Sequence, residues 1–217
     1  MTPNTGEAVP PPAIKPMRAD ARRNRDRLLQ VADEVFATQG VGASTEDIAR
    51  AAGVGIGTLF RHFPTKEALL EAVFVTRLHR LAADANRLSN GGDPGATFES
   101  FFRMLVAEAH TRLTIVEALA LRGIDISVAA ADAKRDFSAA LERLLRRAQQ
   151  AGAVRLDIGI AELLALIVGA SRAVQHAGDD QRVESHLVNV ILDGLAPDRS
   201  PAARPSPTPT RRSHRLK

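Results

Sequence analysis

Apolar residues recur along this chain at intervals of three and four, the spacing of one helix face, and nowhere alternate over a useful length as strand positions would. Leu28, Val31, Ala32, Val35 and Phe36 stand at i, i+3, i+4, i+7 and i+8 and predict a first helix ending near Gly40. Leu69, Leu70, Val73, Phe74, Leu78 and Leu81 predict a longer helix running on from Lys66, and SNGGDPG at 89–95 is the clearest break. Beyond it, Phe98, Phe101, Phe102, Leu105, Val106 and Ala109 repeat at helical period, and Leu113, Val116 and Leu119 to Leu121 extend or restart that helix. Phe137, Leu141, Leu144, Leu145 and Ala148 mark another, stopped by Gly152, before two helices rich in branched residues at 160–174 and 183–195. The pattern predicts an all-α chain of about nine helices.

The stretch from Ser44 to Lys66, STEDIARAAGVGIGTLFRHFPTK, holds two short helices in a confined space. Ser44 with Asp47 three residues on fits a capping box, in which hydroxyl and carboxylate satisfy the free backbone donors of a helix start. Ile48, Ala49 and Ala52 give one small apolar stripe, and Gly53 falls where a left-handed residue commonly closes a helix. A second helix then has about seven residues before Pro64, which bars a helix interior and biases Phe63 toward extended dihedrals. Two helices joined by a short Gly-containing turn form a helix-turn-helix, whose second helix lies in the major groove of DNA. At roughly 100° per residue, Leu59 and Phe63 share one side, and Gly57, Thr58 and Arg61 the other. Arg61 is suited to the O6 and N7 edge of guanine, Thr58 and His62 to phosphate, and Gly57 to close backbone approach. Lys66 opens the next helix behind Thr65 as cap, where a cation opposes the helix dipole and a nearby phosphate is an attractive partner.

This segment resembles the DNA-binding domain of the TetR family of bacterial transcriptional regulators. The matching residues are Thr45, Ile48, Ala49, Ala52, Gly53, Val54, Gly57, Thr58, Leu59, Phe60, His62, Phe63, Lys66 and Leu69. The resemblance covers about residues 18–78; the chain beyond Leu78 resembles the family only in being helical. It implies a helix, a helix-turn-helix and a fourth helix opening with a lysine. Together with the wheel and the basic N-terminal segment, it puts Arg23, Thr45, Gly55, Gly57, Thr58, Phe60, Arg61, His62 and Lys66 at the DNA. Two positions depart from the family pattern. Phe60 stands where Tyr often puts a hydroxyl on phosphate, and its ring can instead meet a thymine methyl. Gly55 stands where Ser often caps the second helix, and would cap only through its backbone freedom. Ile56 stays open, toward Leu59 on the wheel and toward the bases in the family pattern.

Composition adds charge asymmetry and exclusions. The 217 residues carry a net charge of +4 and no Cys, which rules out disulfides, thiol catalysis and Cys-ligated metal. Residues 15–27 hold Lys15, Arg18, Arg22, Arg23, Arg25 and Arg27 against Asp20 and Asp26; residues 196–217 hold six basic side chains against Asp198. Only Glu7 is charged in 1–14, so residues 28–195 are acidic overall. Basic ends add salt-sensitive, sequence-blind affinity for a polyanion, or serve as solubilising tails. Pro-rich 1–16 and polar 196–217 read as disordered. No apolar run reaches the roughly 18 residues of a membrane span, so no membrane partner and a cytoplasmic, nucleoid-associated protein are expected.

ELLALIVGASRAV and HLVNVILDGL are each apolar on more than one face. They are either interior core helices or half of a four-helix bundle formed with a second copy; the resemblance implies the latter, a homodimer through the last two helices. The resemblance also implies a small-molecule effector in the body, with Phe101, Phe102, Leu105, His110 and Phe137 as candidate lining; Phe and Leu at helical period serve equally as core. His110, near Arg112 and Glu117, reads as part of a surface pair or as a polar group orienting a ligand. No G-x-S-x-G, GxxxxGK or HExxH pattern occurs, and His62, His79, His110, His176 and His186 lack metal spacing. No catalytic residue, metal or cofactor is therefore expected. The domain organisation predicted is an arm at 1–16, a helix-turn-helix domain at 17–66, an effector-binding and dimerisation domain at 67–195 and a basic tail at 196–217. The function expected is that of a repressor released from a palindromic double-stranded DNA operator by an unknown effector; the rival is an architectural DNA-coating protein.

Overall fold

The computed structural model describes residues 15–177 and 180–197, with backbone only at 15–19 and His110. The segments read as disordered thus lie outside the described residues, apart from 15–16, which open the first helix, and 196–197. Nine helices and no strand occur among the described residues: α1 (Lys15–Gln39), α2 (Thr45–Ala51), α3 (Ile56–His62), α4 (Lys66–Leu88), α5 (Pro94–Ala120), α6 (Ile126–Ala129), α7 (Ala131–Gln150), α8 (Ile160–Ala177) and α9 (Gln181–Leu195).

Caps and glycines set the boundaries. Thr65, Asp93 and Asp180 each accept a bond from a first-turn backbone N–H of α4, α5 and α9. Gly53, Gly123 and Gly152 all take positive φ after α2, α5 and α7. Around Gly53 the Schellman pattern is complete: Gly53 N–H donates to Arg50 C=O and Val54 N–H to Ala49 C=O, both at 3.0 Å. The predicted break at 89–95 is the α4–α5 turn. No second break interrupts α5, and its stripe closes at Leu119; Leu121, expected on that stripe, is 89% exposed because the helix has ended.

One continuous apolar core runs from Leu28 of α1 to Leu195 of α9. The helix α4 joins its two ends, packing on α1 at the head and on α5 and, most extensively, α7 in the body. At 23 residues it is about 35 Å long. A boundary between residues 66 and 67 would fall inside its first turn. The two last helices pack on each other, and α8 lies on α5 with Leu163, Ile167, Ala170 and Ser171 buried and the Ser171 hydroxyl 3.4 Å from the Val106 carbonyl. By length and composition alone α8, with a mean hydropathy of 1.2 over 18 residues, is long and apolar enough to cross a membrane. Glu162 and Arg172 interrupt its apolar run, so a criterion of unbroken hydrocarbon passes over it.

Candidate nucleic-acid interface

Ser44 caps α2 by accepting from the Asp47 N–H at 3.1 Å. The Asp47 carboxylate, expected to turn back to the backbone, instead accepts from the Ser44 hydroxyl at 2.8 Å and from Arg50 at 2.9 Å. With α2 thus begun and closed at Gly53, Ile48, Ala49 and Ala52 are buried and form the bed on which α3 sits. Leu59 and Phe63 anchor α3 there, with 0% and 2% exposure. The opposite side of the same cylinder carries exposed Gly57 and Arg61 and half-buried Thr58. Phe60 is 40% exposed and His62 half-buried, its ring tilted 6.3 Å from that of Phe63. Ile56 is 37% exposed, which resolves its ambiguity in favour of the outer surface.

Gly55 has φ −72° and ψ 147°, ordinary extended backbone, and no side-chain cap bond. Its backbone freedom is not used there, and a Cβ would have open space. Thr45 is apart from the exposed set. It is 9% exposed, and its hydroxyl lies 3.3 Å from the Glu46 carboxylate.

Lys66 donates from Nζ to the Gly42 carbonyl at 3.1 Å, tying the α1–α2 turn to the start of α4. Partial burial, then the charge of Arg122, holds its amine below the usual lysine range. Next to it, Glu67 pairs with Arg122 at the end of α5, so the first turn of α4 is linked to head and body at once. Arg23 is exposed and paired with Asp20 on α1. Arg25, on the same helix, lies over the Phe63 ring at 5.2 Å, steadying the end of α3 from outside.

Of the candidate effector-pocket residues, Phe101, Phe102, Leu105 and Phe137 are all buried in the continuous core. His110 lies on α5 between them in sequence, its side chain outside the described set. A cavity of about 350 Å³ lies between α1 and α4, lined by Leu29, Asp33, Val73 and Arg80 among others. Arg112 is half-buried, and Glu117 pairs with Arg172 of α8. Sequence reasoning also missed the ion pair of Arg77 with Asp33, which joins α4 to α1 under cover of both helices. Its signal was present: Arg77 and Arg112 are charges at positions where the apolar stripes of α4 and α5 call for hydrocarbon.

A short helix anchored by Leu59 and Phe63 and showing Gly57, Thr58 and Arg61 outward has the form of a helix-turn-helix reader. Two family models match parts of the chain: "Bacterial regulatory proteins, tetR family" over residues 28–73, and "Transcriptional regulator SbtR-like, C-terminal domain" over residues 93–197. The crystal structure of a TetR transcription regulatory protein from Mycobacterium vanbaalenii is 42% identical, with 83% of this chain and 99% of that one covered and a TM-score of 0.67. A TetR transcriptional regulator from Streptomyces coelicolor is 33% identical, covers 80% and 98%, and has a TM-score of 0.65. Among curated proteins, the HTH-type regulators TtgW and SrpR of Pseudomonas putida are each 45% identical over 67 residues, 30% of this chain. The match spans 50% of TtgW, described as uncharacterized, and 32% of SrpR. The chain belongs to the TetR family of DNA-binding transcriptional regulators.

Proposed function

We propose that the protein is a homodimeric, one-component repressor that holds a near-palindromic operator with α3 of each copy and releases it when a small molecule binds the body. The observation that carries this is the two-sided α3, with Leu59 and Phe63 inward and Arg61 free of any buried role. On this reading Arg61 reads a base edge, Thr58 and His62 meet phosphates, and Gly57 lets the backbone approach. Phe60 meets a thymine methyl or a sugar, and Lys66 adds its charge to a phosphate while keeping the Gly42 carbonyl. Arg23 adds attraction of the same sequence-blind kind, and Thr45 and Gly55 contribute through their backbone at helix starts. The protein works in the cytoplasm, without turnover of substrate.

Two copies meet through α8 and α9. The outer face of this pair carries Val168 and Gly169 of α8 and Val183 and Val190 of α9, apolar surface that a second copy would cover. That two-fold would set the α3 helices about 34 to 36 Å apart, one turn of DNA. To move occupancy from 99:1 to 1:99, the effector needs about 5.5 kcal/mol of preference for the released arrangement.

The test is a pair of substitutions read on an operator series with single base changes. Arg61→Ala should weaken operator binding by about 1 to 3 kcal/mol and relax preference at one base position. Lys66→Ala should weaken all duplexes alike and lower the salt dependence of binding. A uniform loss with both variants would contradict the roles assigned, and a continuous footprint without a palindrome would favour DNA coating.

A further inference from the structure

The charged groups where α1, α4 and α5 meet, Arg77 buried and Arg80 half exposed among them, do not balance. Arg77 and Arg80 of α4 share Asp33 of α1, and Arg80 also reaches Glu108 of α5 at 3.0 Å. Arg112 follows one turn after Glu108 on α5. Its Nη2 donates to the Leu105 carbonyl at 2.9 Å, whereas its Nη1 is shut off from solvent and has no acceptor. The nearest carboxylate, Glu108, attracts Arg112 but is already bonded to Arg80, and Arg77 and Arg80 both repel it. Three guanidiniums face two carboxylates, and one positive charge is left over.

Burial above all, opposed by Glu108 and reinforced by the two arginines, pushes the Arg112 guanidinium down to about 10. It therefore stays charged at neutral pH. A guanidinium donor shut off from solvent and left unused is unfavourable to keep, and a planar N–H edge is the group that carboxylates bind best. The carbonyl that holds the other nitrogen belongs to Leu105, a buried residue of α5.

We propose that Arg112 is the anchor of an anion site between α4 and α5, taking the carboxylate of a small acid. The acid's charge completes the cluster. Resting on the regulatory reading above, that acid is the effector. Its charge competes with Asp33 for Arg77 and Arg80, and Asp33 belongs to the helix that carries the head.

The test uses the full chain without DNA, with sodium benzoate as probe and benzamide as its neutral counterpart at fixed ionic strength. Benzoate at a hundred times its Kd should raise the melting temperature by about 5 to 10 °C, and benzamide should not. Arg112→Met, which fills the same space without charge, should fold and lose the response, while Arg112→Lys should keep part of it. Glu108→Gln should bind benzoate several-fold tighter, because a competing carboxylate is gone; a merely structural Arg112 predicts no such gain. Crystals soaked in bromide should show an anomalous peak on Nη1. Equal benzoate shifts in wild type and Arg112→Met would overturn the site, as would a silent benzoate titration together with no bromide peak. Neither measurement involves DNA, so failure of operator binding would sink the regulatory reading and leave the anion site intact.

Discussion

Phe60 is an exposed aromatic ring on the reading helix, at a position where its family often has Tyr. Restoring the hydroxyl with Phe60→Tyr should tighten DNA binding about tenfold or more, since one hydrogen bond to a charged acceptor is worth about 1.5 to 3 kcal/mol. Because phosphate carries no sequence, fluorescence anisotropy should find the same gain on operator and scrambled duplex. Its neighbour Gly55 offers a second small change: Gly55→Ser would supply the missing cap of α3 on backbone that already has the right dihedrals, for a few tenths of a kcal/mol. The inward placement of Leu59 and Phe63 was legible in the sequence, since a seven-residue helix pinned between Gly55 and Pro64 has one register against its bed. Ile56 was not, because at the first turn of such a helix the wheel places a side chain at the rim of the buried face. Arg77 and Arg112 were passed over for a different reason: periodicity counts apolar positions and does not ask what a charge is doing among them.

Closure of α2 rests on the backbone of Gly53, whose φ of +68° an L-residue adopts only with strain. A Cβ there would have 3.6 Å to the Arg27 guanidinium, so space is not the obstacle. Gly53→Ala should then cost about 1 to 2 kcal/mol through strain alone, read as a lower denaturant midpoint with unchanged slope. The pair of Arg77 with Asp33 fastens α1 to α4. Removing one member, as in Asp33→Ala, should cost about 3 to 5 kcal/mol by leaving a buried guanidinium alone, whereas Asp33→Leu with Arg77→Met should be close to neutral. If the double variant is as unstable as the single one, the pair is not what fastens these helices. Long helices were legible from their stripes and caps. The short α6 was not, as four residues cannot repeat a period of 3.6, and its start depends on Asp125 accepting from the Ser127 N–H.

The assembly of two copies is tested at the outer face of the last two helices. Val168→Asp together with Val190→Asp places four like charges in a symmetric interface and leaves the α5-facing side of α8 untouched. Sedimentation should give a particle of half the mass, and operator affinity should fall by orders of magnitude as each α3 then binds alone. A variant that stays dimeric would move the interface elsewhere. The sequence announced two apolar faces on these helices without saying which was covered; burial of Leu163, Ile167 and Ala170 assigns one, and exposed Val168 lies on the other.

The helix α4 begins at the head, with Lys66 on the Gly42 carbonyl, and ends in the body beside α7. A chimera that borrows another reader by cutting at residue 66 would sever Lys66 from its own helix and trade away the partner surface that α1 requires. Splicing at the turn after Leu88 would carry α4 over with its reader, but would ask the recipient's α7 to accept a foreign ridge. Interchangeable heads in this protein are therefore limited by one shared rod, and the tolerant route is to rewrite the outer face of α3 in place.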